Sequence, residues 1–255
     1  MTTVLITGGS EGIGLELAKL YASDGAQLIL AARDPVRLFD ARNELQKLYH
    51  ARVDTISSDL SVPGSAKKLY ESLSGREVDV LINNAGCGYT GYSWQIDAEA
   101  EEKMVQLNDA SLMTLCKLFL ADFTERRSGT IVNVASTGAF QSGPYIAGYY
   151  ASKAFVLNYT KAIAEEAKEY GVHVCCLCPG PVDTQFYAKS GGRKPKGAMS
   201  AEKTAAIAWK GIQNNKKVII PGFFNRLAML VPQSIRTAYV RRSKLKNIRR
   251  RNKKG

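Results

Sequence analysis

Short apolar runs alternate with longer segments whose apolar positions recur at helical spacing, from the first residues to Val218. The runs lie near residues 3–7, 27–32, 53–57, 79–82, 130–134, 172–178 and 217–220 and read as strands. Helical patterns fall between them, near 12–23, 35–49, 62–74, 99–126, 147–170 and 200–214. The second of these opens on Asp34-Pro35, a capping residue followed by proline at the first helical position. Strands this apolar are buried on both faces, and their alternation with helices implies crossover connections. The pattern predicts an α/β fold: a doubly wound, seven-stranded parallel sheet with helices on both faces.

Two stretches fall outside that rhythm. Residues 184–199 are rich in Gly, Lys and Ser and read as a mobile flap with aromatic contacts at Phe186 and Tyr187. Residues 222–255 begin apolar, break at Pro232 and end as a basic helix or frayed arm. The expected organisation is a catalytic domain over 1–221, flap included, and a basic C-terminal extension over 222–255.

Charge sharpens this division. The 255-residue chain carries a net charge of +12. From Arg226 onward there are 11 Lys/Arg and no Asp or Glu, while the preceding residues hold 24 basic against 23 acidic side chains. The basic character belongs to the tail. Cys175 and Cys178 spell CxxC, but inside the strand-like run VHVCCLC their side chains point to opposite faces, which reads as structural thiols. With only His50 and His173 in the chain, a metal site has little to draw on. Five cysteines without a pairing pattern fit a reducing compartment. Met1 runs directly into the first strand, with no pattern of a signal peptide, and no apolar stretch is long enough to span a bilayer. A cytoplasmic location is expected.

The first strand leads into Gly8-Gly9-Ser10-Glu11-Gly12-Ile13-Gly14 and then a helix. Glycines allow a tight turn and close approach of the backbone, and the helix N-terminus offers free N–H groups to a pyrophosphate. Strand, glycine loop, helix and second strand in this order mark a Rossmann-type dinucleotide site, with Gly8, Ser10, Gly12, Ile13 and Gly14 as the cradle. The second strand ends at Ala31-Ala32-Arg33. An NAD-selective site places a carboxylate there for the ribose hydroxyls, whereas Arg33 suits a 2′-phosphate. The sequence therefore predicts NADP(H) in preference to NAD(H).

With these elements in place, residues 3 to about 220 resemble the short-chain dehydrogenase/reductase family, whose glycine spacing matches Thr7-Gly8-x-x-x-Gly12-x-Gly14. Further motifs match in order. The resemblance implies that Asp59-Leu60 contacts the adenine ring and that Asn83-Asn84-Ala85-Gly86 stabilises a strand and flanks the cofactor, through Asn83, Ala85 and Gly86. It also implies that Asn108 is a structural and proton-relay residue. Pro179, Gly180, Val182 and Thr184, within Pro179–Thr184, would pack on the nicotinamide, with Thr184 bonding its carboxamide.

The segment Tyr149-Tyr150-Ala151-Ser152-Lys153 carries the chemistry. Residues four apart share a helix face, so Tyr149 and Lys153 point together while Tyr150 points elsewhere, into packing. Ser136 lies at the end of the fifth strand, where a parallel sheet presents its functional groups. The family has the same serine–tyrosine separation, which supports Tyr149 as the acid/base. A lysine ammonium about 4–5 Å away contributes roughly 3–4 kcal/mol. That is enough to bring the phenol from about 10 to roughly 7–8, in the useful range for proton transfer. The resemblance gives Lys153 the nicotinamide ribose as a second partner and Ser136 the carbonyl oxygen.

Side chains expected around the substrate are Cys87, Tyr89, Tyr92, Trp94, Phe140, Tyr145, Phe186 and Tyr187, an aromatic set poor in charge. Ser136, Tyr149 and Phe186 are the named substrate contacts, and a lipophilic ketone or aldehyde fits better than a phosphorylated sugar. A rival reading is a non-catalytic NADP(H)-binding sensor or assembly module, which would not need the acid. The tail admits a solvated arm, peripheral contact with an anionic membrane, or nucleic-acid binding. The last has little support, because a basic run with one tyrosine is a weak footprint. The resemblance implies a homodimer or homotetramer built on the long helices.

Overall fold

The computed structural model describes residues 1–192 and 194–251. Arg193 in the flap and residues 252–255 at the end of the basic run lie outside the described residues. Among the described residues there are nine strands: β1 (Thr3–Thr7), β2 (Gln27–Ala32), β3 (Val53–Ser57), β4 (Val80–Asn83), β5 (Gly129–Val134), β6 (Val172–Leu177), β7 (Val182–Asp183), β8 (Met199–Ser200) and β9 (Val218–Ile219). Ten α-helices accompany them: α1 (Gly12–Ser23), α2 (Pro35–Tyr49), α3 (Ser65–Glu71), α4 (Ala98–Val105), α5 (Leu112–Glu125), α6 (Ala147–Ala167), α7 (Phe186–Lys189), α8 (Ala201–Gln213), α9 (Phe223–Ala228) and α10 (Gln233–Arg251).

Seven strands form one sheet in the order β3-β2-β1-β4-β5-β6-β9, and every pairing is parallel. The α/β, doubly wound, seven-stranded fold read from the sequence is the fold observed. Alternation within each strand divides the core in two. Val4, Ile6, Leu28 and Leu30 face one side and pack with Leu17, Leu38, Leu45 and Ile212 from α1, α2 and α8. Leu5, Ile29, Leu81 and Ile131 face the other and pack with Leu69, Phe119, Phe123 and Val156 from α3, α5 and α6. Strand order reverses beside β1, whose neighbours are β2 and β4. A crevice for a ligand opens outside the carboxyl ends of the strands at such a switch point.

The structure corrects three readings. The helix expected over 99–126 is interrupted by a π-helical segment, Gln106–Ser111, between α4 and α5. Asn108 and Ser111 within it are fully buried, and π segments of this kind collect at functional sites. Secondly, the helix expected over 62–74 shrinks to α3, whose start is set by Gly64 in the left-handed conformation. Thirdly, the flap is not free chain: β7 pairs with β8, α7 lies between them, and Ser190 accepts a backbone hydrogen bond from Thr90 at 3.0 Å. The expected basic arm is the helix α10.

Phe123 is the largest fully buried side chain among the described residues, and a Cβ at Gly129 would lie 2.3 Å from its ring. Phe123→Ala leaves a cavity beneath β5, and chemical denaturation should show a loss of about 3–5 kcal/mol. A loss below about 1 kcal/mol would mean that the packing around α5 is looser than described.

Candidate active site

The glycine loop after β1 is shaped by sterics. Gly8 and Gly12 adopt φ of +63° and +57°, which only glycine takes without strain. A Cβ at Gly14 would lie 2.4 Å from the Gly8 carbonyl oxygen and 2.5 Å from Asn84 Nδ2. Asn84 holds this loop, donating from Nδ2 to the carbonyl oxygens of Thr7 (3.1 Å) and Gly8 (2.9 Å). Thr7 Oγ1 accepts the backbone N–H groups of Asn84 and Ala85, tying β1 to the end of β4. The first turn of α1 has no side-chain cap and no acidic residue, as an anion-binding terminus requires. Ser10 is half-exposed in the loop, and Ile13 packs against the core.

Around the cradle, Thr184 sits 3.1 Å from where a Gly12 Cβ would be, so the Pro179–Thr184 segment faces the loop. Pro179 and Gly180 leave β6, Gly180 lies against Asn225, and Val182 is held in β7. Arg33 is exposed just beyond β2. Burial works to raise the Asp59 carboxyl, but hydrogen bonds from Ser61 Oγ (2.6 Å) and Ser61 N (3.0 Å) outweigh it, aided by Arg33 and Lys103, and hold it below its ordinary value. Leu60 turns its side chain into the core, and its carbonyl accepts from Ser111. Asn83 departs from the simple cofactor reading. Its side chain is buried between strands, donating to Asn133 Oδ1 at 2.9 Å and to Cys116 Sγ, so only its backbone can serve the cleft.

The catalytic candidates converge on Gly86. A Cβ there would lie 3.1 Å from Asn108 Oδ1 and 3.3 Å from Lys153 Nζ. Asn108, set by the π segment, accepts from Cys87 N (3.0 Å) and donates from Nδ2 to Cys87 O (2.9 Å) and Ser152 Oγ (3.0 Å). Ser152 Oγ in turn donates to the Tyr149 carbonyl oxygen at 2.9 Å. The next loop glycine, Gly88, lies against the Tyr149 ring, which a Cβ would approach to 2.6 Å. Ser136 caps the short 3-10 turn Thr137–Phe140 and stands within hydrogen-bonding reach of Tyr149. Tyr150 is packing: it lies against Gly138 and Gly143.

Lys153 is 4% exposed, and its ammonium donates to the Val134 carbonyl oxygen at 2.9 Å, 5.8 Å from the centroid of the Tyr149 ring. Burial lowers its pKa, while the Asp109 carboxylate acts the other way. The expectation that Lys153 brings Tyr149 to roughly 7–8 fails here. Burial dominates and pushes the phenol well above its usual value, with only the Ser136 hydrogen bond opposing it. Desolvation of the phenolate exceeds the effect of an ammonium aimed at a carbonyl oxygen.

Some of the aromatic side chains expected around the substrate cluster and others do not. Phe186 of α7 packs on Tyr149, ring centroids 5.1 Å apart, with Tyr187 edge-on to Phe186. Tyr92 meets Tyr145 edge-on at 5.3 Å. Trp94 is 79% exposed, and Phe140 packs against the core. Sequence reading missed Ser152, Asn84, the Val134 carbonyl and Glu11. Glu11, in the glycine loop, is ion-paired with Arg37 and with Lys189 of α7, which pins the flap to the cradle.

Asp109 was also missed. One carboxylate oxygen is buried without a hydrogen-bond partner among the described residues, and burial raises the group to about 6, Lys153 opposing. A carboxyl raised above its unfolded value of about 3.9 contributes stability below pH ~4 and loses it as pH rises through about 6. Asp109→Asn should therefore melt higher than the parent at pH 8 and close to it at pH 4. Thermal melts showing the variant weaker at pH 8 than at pH 4, relative to the parent, would contradict this placement.

The family model described as short chain dehydrogenase matches residues 2–194. A very-long-chain 3-oxoacyl-CoA reductase of Rattus norvegicus is 29% identical over 186 residues, covering 71% of this chain and 60% of that protein. The chain thus spans less than two thirds of that relative's length. A short-chain dehydrogenase from Sphingobium yanoikuyae, solved in complex with NADPH, superposes with a TM-score of 0.85 at 30% identity, covering 90% of this chain and 92% of that one. The bulky-bulky ketone specific alcohol dehydrogenase from Comamonas testosteroni gives 0.80 at 28% identity, with the same coverage.

Proposed function

The chain belongs to the short-chain dehydrogenase family of oxidoreductases, and on that premise we propose that it is an NADP(H)-dependent carbonyl reductase with Tyr149 as its acid. The observation that carries this reading is the convergence of Asn108 and Lys153 on Gly86 and of the Tyr149 ring on Gly88, in the loop that follows β4. NADP(H) would supply or accept the hydride at the carbonyl carbon. Gly8, Gly12, Gly14 and the uncapped start of α1 would hold its pyrophosphate, and Thr184 and Lys153 would hold its nicotinamide end.

The remaining steps belong to the chain itself. Ser136 donates a hydrogen bond to the carbonyl oxygen and polarises it. Tyr149, whose pKa burial raises, delivers its phenolic proton to that oxygen. Lys153 places a positive charge beside the phenolate that results, and Asn108 anchors the helix through Ser152 and the Cys87 backbone. In the opposite direction the Tyr149 phenolate, with the Lys153 ammonium beside it, would accept the alcohol proton.

Phe186, Tyr187, Tyr92 and Tyr145 make a wall suited to a lipophilic ketone or aldehyde. The names of the rat and Comamonas relatives, a fatty 3-oxoacyl thioester reductase and a bulky-ketone dehydrogenase, point the same way. Exposed Val105, Met113 and Phe155 on α4, α5 and α6 support a homo-oligomer built on those helices.

Tyr149→Phe should lower kcat by about two to four orders of magnitude in an NADPH-oxidation assay across ketones, aldehydes and 3-oxoacyl thioesters. Its NADPH affinity should stay near that of the parent. Activity kept within a few-fold would refute Tyr149 as the acid.

Cofactor preference rests on Arg33. Ala32 offers no carboxylate to the ribose, and Glu11 is neutralised by Arg37 and Lys189. Arg33→Ala should weaken NADPH binding about tenfold or more and leave NADH little changed, measured by quenching of intrinsic fluorescence. Equal losses for both cofactors would remove Arg33 from this role.

A further inference from the structure

The cleft leaves one large feature of the molecule unexplained, at its carboxyl end. Seven of the seventeen large apolar side chains exposed among the described residues lie within residues 223–239, among them Phe223 at 63%, Phe224 at 83% and Leu230 at 80%. α9 has no buried residue at all. A helix this short, apolar and uncovered is unusual for a protein surface in water.

The helix that follows is cationic. α10 carries eight Lys/Arg and no carboxylate. Arg236, Val240, Lys244 and Ile248, four residues apart, turn toward the protein and are buried or half-buried. On another side, Ile235, Tyr239, Arg242, Lys246 and Arg249 form an exposed stripe, apolar near α9 and basic toward the end.

This surface borders the cleft. Asn225 of α9 donates to the Pro221 carbonyl oxygen, and a Cβ at Gly180 would lie 2.4 Å from it. A Cβ at Gly222 would lie 3.0 Å from Met199 of β8. α9 therefore rests on the Pro179–Thr184 segment and on the base of the flap.

We propose that α9 and the exposed stripe of α10 form a docking surface for an anionic lipid bilayer. Phe223, Phe224, Leu227 and Leu230 enter the interface, and Arg242, Lys246 and Arg249 meet lipid phosphates. Two weak signals, an apolar wedge and a polybasic stripe, act together where neither alone would hold. The contact is peripheral: no helix among the described residues is long and apolar enough to cross a membrane. A second copy of the chain fits less well, because like-charged stripes would meet. Nucleic acid leaves the phenylalanines unexplained. Because α9 is seated beside Gly180, docking turns the mouth of the cleft toward the lipid. The surface itself does not depend on the substrate proposed above.

The test uses the full chain and sedimentation with vesicles of phosphatidylcholine alone or with about one third phosphatidylglycerol. Binding to the anionic vesicles should be at least about tenfold tighter and should weaken with added salt. Arg242→Glu/Lys246→Glu/Arg249→Glu should abolish it, and Phe224→Ser/Leu230→Ser should reduce it about tenfold with NADPH binding intact. Hydrogen exchange on the unmodified chain, which needs no variant, should show residues 222–235 protected by anionic vesicles alone. No binding, or binding indifferent to salt, overturns the proposal. So does a dimer that dissociates in the Phe224→Ser/Leu230→Ser variant, or equal protection of 222–235 by duplex RNA.

Discussion

A lysine ammonium buried at the carboxyl end of a parallel sheet is the constraint on which this site turns. Lys153 is almost without solvent, and an ion in that position has to be compensated where it sits. The last carbonyl of β5, Val134, accepts a hydrogen bond from it at 2.9 Å, and Asp109 supplies charge from the π segment. Both partners exist only if β5, α6 and the interrupted helix meet in one register. The sheet provides that register, because Asn83 and Asn133 are cross-strand neighbours and bond to each other in the core below the site.

The same burial defines the chemistry. A phenol surrounded by Gly88, Phe186 and Tyr187 is pushed above its ordinary value by burial, with the Ser136 hydrogen bond acting the other way. Asn108 holds the backbone of Cys87 from both sides, so the loop after β4 is fixed against the Tyr149 ring. The Glu11 ion pairs with Arg37 and Lys189 then join the cradle, α2 and the flap. Exposed pairs of this kind add little to stability, and their consequence here is one of position.

The fold was legible because both its signals are local. Each strand of the main sheet falls within a residue or two of its expected bounds, since continuous apolar runs and glycine loops leave few alternatives. Tyr149, Lys153 and Ser136 were legible as candidates from helical spacing and a strand end. The π segment was not, because a 3.6-residue period shows no break where one extra residue is accommodated, and the sole hint is the burial of polar Asn108 and Ser111. Spacing also gave the direction of Lys153 but not where its proton goes, so the effect of burial on Tyr149 was missed. β7 and β8 are two residues each, below any periodicity, and the Glu11–Lys189 pair joins residues 178 apart in the chain, which no local pattern connects.

The central claim is that this cleft passes a hydride between a nicotinamide and a carbonyl carbon while Tyr149 handles the proton. Incubation with NADPH deuterated at C4 and a bulky ketone, followed by mass spectrometry of the alcohol, tests it most directly. The account expects deuterium on the carbinol carbon from the labelled cofactor in ordinary water, and none there from heavy water with unlabelled NADPH. Label arriving from solvent, or product formed without transfer from the cofactor, would contradict it.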